Sequence, residues 1–340
     1  MQAFYLHGAC DMRPAEIDQP RPGPDEVLIQ VRATGICGSD LHYYTHGKNG
    51  DFVPERPFIL GHESAGEIVE SGSFAATLPL GSRVAIDPSH PCRNCAHCHA
   101  GTYNLCPHMR YFGSAACSPP QDGSFREYVQ VRAENCHLIP EAVDYREAAL
   151  LEPLSIAVHG VGQAGTIAGK NVLVTGGGPI GQLIGLVARH YGAAHLAVSD
   201  IRQEALDLAT SLWADQALRA DEPAEIARAA GAGFDVVIEA SGAPAALQVA
   251  YQHTRAGGTV VQLGVQGGPV ELPVNLLMHK ELTIRGSFRF AHVFGRALDL
   301  LARRQLDLAP LISACVDFSD LIAGFDIALQ PQSIKVVIDY

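Results

Sequence analysis

Basic residues are in the minority. The chain has 24 Lys and Arg against 36 Asp and Glu, for a formal charge of −12, and the basic residues form no long run. Such a chain is a poor partner for nucleic acid or for an anionic membrane surface. Long apolar stretches are missing as well: none approaches the roughly 20 residues that cross a bilayer. The opening residues, Met1 to Leu6, lack the basic and apolar parts of an export signal. The expectation is a cytoplasmic protein with no membrane and no nucleic-acid partner. Internal repeats and low-complexity tracts are absent too. What remains, 47% hydrophobic and 18% charged over 340 residues, is a globular chain about long enough for two domains.

Cysteine is not scarce, and its spacing carries the first chemical signal. Cys92, Cys95, Cys98 and Cys106 follow a C-x2-C-x2-C-x7-C pattern. Four thiolates close a tetrahedral zinc shell with no vacancy, as structural zinc requires. Metal thiolates are a better reading here than disulfides. His97, His99 and His108 lie among the thiols but are surplus to a completed tetrahedron, so they are read as exposed loop residues. Cys10, Cys117, Cys136 and Cys315 are expected to be small buried apolar side chains.

A sparser set lies upstream. Cys37 opens Cys37-Gly38-Ser39-Asp40-Leu41-His42, and His62 and Glu63 follow Gly61. A mixed Cys, His and carboxylate set leaves zinc a position for water or substrate, which is the pattern of a catalytic site. Glu152, in Leu151-Glu152-Pro153, falls where the texture of the chain changes. There it could be a further ligand or could hold the zinc-bound water.

Up to residue 147 the chain reads as short β-branched runs punctuated by Pro and Gly, a β-rich domain with long loops. From Ala148 strands and helices alternate, which builds a parallel sheet covered on both faces. The strand Asn171 to Thr175 is followed by Gly176-Gly177-Gly178-Pro179-Ile180-Gly181 and then a helix. In that context the glycines are a dinucleotide fingerprint. Gly176 permits the turn, Gly178 lets backbone approach a pyrophosphate, and Gly181 lets helix pack on strand. Asp200 closes the next strand, about 20 residues on, where a carboxylate accepts ribose hydroxyls and repels a 2′-phosphate. NAD is therefore expected over NADP, with Arg202 as the complication. The final run Ile334 to Ile338 reads as a strand returning to the first domain.

With these motifs in place, the chain resembles the zinc-containing medium-chain alcohol and polyol dehydrogenases over essentially its full length. Within that family it looks closest to the L-idonate 5-dehydrogenase and sorbitol dehydrogenase group. The narrower likeness rests on Asp40-Leu41-His42-Tyr43-Tyr44, the run Met109 to Ala115, Glu152-Pro153 and the run Arg285 to Phe290. The resemblance implies an α/β chain with a GroES-like catalytic domain (1–147 and 287–340) and an inserted Rossmann domain (148–286). It implies an active site between the two domains and a homodimer or homotetramer.

By position, the resemblance assigns Cys37, His62 and Glu63, with Glu152 nearby, to the catalytic zinc. Ser39 matches the hydroxyl that passes the substrate proton on, with His42 next in line, and Asp40 matches an orienter of the ligand histidine. Tyr43, Phe112, Glu152, Arg289 and Phe290 fall at the substrate. Pro179, Ile180, Leu263, Val265, Ser287 and Phe288 join the glycine-rich turn at the cofactor. The implied activity is oxidation of a secondary alcohol of a polyol or sugar acid, with two zinc ions per chain and NAD, NADP being the alternative.

Overall fold

The computed structural model describes residues 1–75 and 78–340. The chain forms two compact units, Met1–Glu152 with Phe294–Tyr340, and Pro153–Val293. The expected seams lay at Ala148 and Ser287; contacts within the chain put them at Pro153 and Phe294. Among the described residues no helix is long and apolar enough to cross a membrane.

The first unit is built on a seven-stranded sheet. In spatial order Cys136–Leu138, Arg83–Ile86, Glu63–Ser71, Glu26–Gly35, Lys335–Asp339 and Ile312–Asp317 lie side by side, and Tyr128–Arg132 also pairs with Glu26–Gly35. Most neighbours are antiparallel, and only the last two strands run parallel. The strand Lys335–Asp339 pairs Val337 with Gly35, so the end of the chain returns to the first domain. Alternation explains the burial of Tyr128–Arg132: Val129 and Val131 point into the core while Gln130 and Arg132 point out. A second apolar cluster of Phe4, Tyr43, Tyr44, Phe58, Phe125 and Phe325 anchors the helix Gly38–His46.

The second unit holds six parallel strands. Their spatial order is Gln216–Arg219, His195–Asp200, Asn171–Thr175, Phe234–Glu239, Thr254–Gln262 and Thr283–Gly286. Numbered along the chain this is 3-2-1-4-5-6, the doubly wound Rossmann order, in which the strand order reverses between Asn171–Thr175 and Phe234–Glu239. The inner strands are buried on both faces and are correspondingly rich in Val, Leu and Ile.

Two cysteines depart from the expectation of burial. Cys10 is exposed in the turn after Gln2–Gly8, at φ 56°, and Cys315 is exposed on the outward face of Ile312–Asp317. Both sit where local geometry, not hydrophobicity, decides the side a residue faces. Cys136 is buried as expected, and Cys117 is half-buried.

Candidate functional site

The upstream cluster forms where three neighbouring strands end together. Cys37 follows Glu26–Gly35 and caps the helix Gly38–His46. Asp40, fully buried on the first turn, accepts the Cys37 N–H at 3.0 Å with one oxygen and the Gly61 N–H at 3.2 Å with the other. One carboxylate thereby fixes the backbones on which Cys37 and His62 stand. The ligand atoms of Cys37, His62 and Glu63 lie within 4.8 Å of one another. The buried His62 Nδ1 has no hydrogen-bond partner among the described residues and lies 3.6 Å from Asp40 Oδ1. Burial opposes protonation of His62, but the charges of Asp40 and Cys37 outweigh it and hold its pKa well above the ordinary imidazole value. A divalent cation in place of that proton satisfies the same negative surroundings, so the donor set fits zinc.

Glu63 has a partner that no motif announced. Lys335 Nζ is 2.8 Å from each Glu63 carboxylate oxygen and 3.0 Å from the carbonyl oxygen of Ile36, all of it buried. The two side chains come from strands on either side of Glu26–Gly35 and meet over Gly35. A Cβ at residue 35 would stand 2.1 Å from Glu63 Oε2. Glu63 is thus held by an ammonium as well as offered to the metal position.

Glu152 stands at the start of the helix Leu151–Gln163, outside the group of three. It is buried, and the Tyr111 hydroxyl donates to its Oε1 at 2.5 Å. Burial pushes its carboxyl up to about 7; His62 opposes that shift and Glu63 reinforces it. The run around Met109 therefore contributes Tyr111 here. Phe112, expected at the substrate, is 2% exposed and packs on His90 in the core of the sheet. Neighbouring residues on a strand face opposite ways, and Tyr111 ends the short strand Arg110–Tyr111.

Of the remaining expected residues in this unit, Ser39 is half-buried on the first turn of its helix. His42 is exposed against His46, ring centroids 5.8 Å apart, and no Ser39–His42 hydrogen bond is seen. Tyr43 is buried, and its hydroxyl accepts the Ala115 N–H at 3.0 Å.

The four-cysteine lobe is carried by the short helix Ala96–His99 and the turn Tyr103–Leu105. Cys95 and Cys98 sulfurs lie 3.5 Å apart, and those of Cys92 and Cys98 lie 4.0 Å apart. A tetrahedron with metal–sulfur bonds of about 2.3 Å has edges of about 3.8 Å, so the thiols already stand at zinc spacing. His97, His99 and His108 are exposed around them, as read from the sequence.

In the second unit Gly176 ends its strand at φ 94°, and a Cβ there would meet the Ser241 backbone at 2.8 Å. Gly181 lies so close to the Gly176 carbonyl that a Cβ would overlap it at 1.8 Å. Gly178 caps the helix Pro179–His190, with Pro179 at its first position and Ile180 after it. Beside Gly178 a Cβ would meet only Arg202, at 3.5 Å, which leaves its backbone open to a ligand. Asp200 Oδ2 accepts the Gly177 N–H at 2.7 Å, and Oδ1 accepts the Arg202 N–H at 2.8 Å. The Arg202 guanidinium stands 3.3 Å from the same carboxylate and partly offsets its charge.

Sequence reasoning also missed Glu239. It accepts the Ser241 and Gly242 N–H groups and the Gln262 amide, and so shapes the loop that Gly176 packs against. Leu263 sits against Gly160, Val265 is exposed, and Ser287 Oγ is buried with no partner among the described residues. Phe288 lies under the Arg289 guanidinium at 4.7 Å, Arg289 has φ 53°, and Phe290 is buried.

This arrangement of open metal cluster, closed thiolate lobe and dinucleotide turn matches known proteins along the whole chain. The family model "Alcohol dehydrogenase GroES-like domain" matches residues 23–141, and "Zinc-binding dehydrogenase" matches residues 179–303. D-xylulose reductase A of Aspergillus niger is 38% identical over 94% of this chain and 92% of its own length. Sorbitol dehydrogenase of Gallus gallus is 34% identical over 99% and 95%. Among solved structures, L-idonate 5-dehydrogenase of Escherichia coli K-12 superposes with a TM-score of 0.93 at 37% identity, covering 100% of this chain and 98% of that one. A zinc-binding dehydrogenase from Sinorhizobium meliloti 1021 bound to NADP superposes with 0.92 at 32% identity, covering 100% and 99%. With both of its units matched and relatives above 30% identity along nearly all of its length, the chain belongs to the zinc-dependent medium-chain alcohol and polyol dehydrogenases.

Proposed function

We propose that this chain oxidises a secondary alcohol of a sugar acid of the L-idonate type to the corresponding ketone, with NAD⁺ as acceptor. The observation that carries the dehydrogenase reading is the convergence of half-buried Cys37 with buried His62 and Glu63, near the buried Glu152. Zinc held there supplies Lewis acidity, bringing the pKa of a substrate hydroxyl toward neutrality. Cys37 and His62 hold the ion, and Asp40 keeps both on station. Glu63 divides its carboxylate between that position and Lys335. Glu152, hydrogen-bonded by Tyr111 and with a pKa near neutrality, keeps a proton available at its carboxyl within the site. Ser39 accepts the substrate proton, and His42, on the exposed face of the same helix, passes it to water.

The sugar-acid reading rests on Arg289, whose guanidinium suits a bidentate carboxylate partner, and on the likeness to L-idonate 5-dehydrogenase. Tyr43 and Phe290 complete the substrate assignment through the family resemblance. The relatives that act on xylulose and sorbitol favour a second reading, a neutral polyol to which Arg289 donates hydrogen bonds. NAD is proposed over NADP on Asp200, although Arg202 softens the preference and the Sinorhizobium meliloti neighbour holds NADP.

The protein is also proposed to be a cytoplasmic homodimer or homotetramer. Supporting the oligomer, the edge strand Thr283–Gly286 is exposed throughout, and the adjoining helix Val274–Lys280 buries none of its residues. Together they leave Val274, Met278 and Ile284 at the surface.

The deciding experiment follows NAD⁺ and NADP⁺ reduction with L-idonate, D-gluconate, sorbitol, xylitol, L-threonine and a simple alcohol, using protein shown to hold zinc. Preference for L-idonate supports the sugar-acid reading. Preference for sorbitol or xylitol moves the enzyme to the polyol reading, and inactivity toward all six overturns both.

A further inference from the structure

A basin lined by neither Cys37 nor His62 lies in the first unit, and three elements build it. Its floor is the outward face of the strand Tyr128–Arg132, where period-two alternation sets Gln130 and Arg132 on one side, together with Arg126 just ahead of the strand. One wall is the two-stranded ladder on which His90 and Arg110 are paired. A further wall is the loop through Pro120 and Asp122, with Arg56 bonded to it. The basin is partly open to solvent and has a volume of about 630 Å³.

Four guanidiniums, from Arg56, Arg110, Arg126 and Arg132, face two carboxylates, Glu26 and Asp122. The lining guanidiniums outnumber the lining carboxylates by two, in a chain whose net charge is −12. Both acids are tied to backbone: Glu26 accepts the Gly23 N–H and Asp122 accepts the Ile59 N–H. Arg132 is shared with Asp25 and Glu134 at the rim, and Arg110 leans on the neutral Gln121 amide. Arg126 is different. Its Nε is buried and has no hydrogen-bond partner among the described residues, and the same is true of His90 Nε2 on the wall. Two unpartnered buried nitrogens in one cationic basin are costly unless something completes them.

We propose that this basin is a binding site for a small phosphate-bearing molecule, with Arg126 and Arg110 gripping the phosphate and His90 adding a further contact. Guanidinium forks match phosphate oxygens in geometry, and the surplus of guanidinium over carboxylate in the lining favours an anion. The volume greatly exceeds that of inorganic phosphate, so an organic group attached to the phosphate has room. Of the lining residues the dehydrogenase reading uses only Cys92, a thiol of the four-cysteine lobe, and the site stands or falls independently of the substrate.

The test uses the full-length, zinc-loaded protein with saturating NADH, so that the phosphate positions of the dinucleotide site are already filled. Inorganic phosphate, glycerol 3-phosphate, glycerol and chloride at matched ionic strength are titrated by calorimetry. The expected result is saturable binding of one phosphate or phosphate ester per chain, with no response to glycerol or chloride. Tighter binding of glycerol 3-phosphate than of phosphate identifies an ester site, and the reverse identifies a site for the free anion. Arg126→Gln and Arg110→Gln each weaken binding by about tenfold or more, with zinc content and NADH affinity unchanged, while Arg126→Lys retains most of it. Should Arg126→Gln fail to fold, Arg110→Gln decides. Absence of saturable binding, an equal response to chloride, or wild-type affinity in Arg110→Gln overturns the proposal.

Discussion

Lys335 and Glu63 form a buried ion pair across the width of one strand, with the ammonium 2.8 Å from both carboxylate oxygens. Breaking such a pair from one side leaves a buried charge unpaired, at a cost of about 3–5 kcal/mol. Lys335→Met should therefore lower the denaturant midpoint of metal-free protein sharply, and Glu63→Gln in the same chain should recover part of the loss. Zinc replaces the missing cation, so it should raise the midpoint of Lys335→Met more than that of the wild type. Equal stabilisation of the two by zinc would show that Glu63 does not reach the metal.

The thiolate lobe should behave as a separate zinc site. Metal analysis is expected to give about two zinc ions per chain in the wild type and about one in Cys98→Ser. NADH binding by the variant should remain, because the glycine-rich turn lies in the other unit. Two zinc ions retained by Cys98→Ser would refute the four-cysteine assignment.

Cofactor choice should turn on the carboxylate of Asp200 and the guanidinium that offsets it. Asp200→Ser, with Arg202 intact, removes the charge that repels a 2′-phosphate. The ratio of kcat/KM for NADP⁺ to that for NAD⁺ should then rise about tenfold or more, for an interaction of roughly 1.5–3 kcal/mol. Arg202→Ala should move the ratio the other way. A ratio unaffected by either change would place the discrimination elsewhere.

Asp87 predicts a pH dependence of stability. Its carboxyl is buried, and burial pushes its pKa up to about 6, against the hydrogen bonds from Ser89. Because the folded value lies above the unfolded one, Asp87 favours folding fully below about pH 4, and that contribution is lost as pH rises through about 6. Asp87→Asn keeps an oxygen for Ser89 and removes the ionisation. The variant should match the wild type near pH 4 and exceed it at pH 7, by up to about 3 kcal/mol. Parallel stability profiles from pH 4 to pH 7 would contradict this.

The chemistry of this chain was legible wherever it is local in sequence. Cys92 to Cys106 and Gly176 to Gly181 lie close together along the chain, and their spacing implies their geometry before any fold is known. Asp200 could be found because the strand-turn-helix-strand unit has a nearly constant length. Lys335 could not, since 272 residues separate it from Glu63 and only the sheet order brings them together. Tyr111 and Phe112 show a finer limit. The run containing them was singled out, but which of two adjacent aromatic residues meets Glu152 depends on the facing of a strand two residues long. The exposed cysteines, Cys10 and Cys315, were misjudged for a related reason: residue type states a preference for burial, and turn position or strand parity overrides it.

The strand Lys335–Asp339 has a consequence for biosynthesis. It lies beside Glu26–Gly35 but follows the whole second unit in the chain. During translation the Rossmann unit leaves the ribosome complete, whereas the first sheet waits with the Ala33–Gly35 end of one strand edge unpaired and Glu63 without its lysine. An open strand edge of that kind is a site of misassembly. Nascent chains halted before residue 335 should accordingly depend on chaperones in their first half, while their second half already binds NADH.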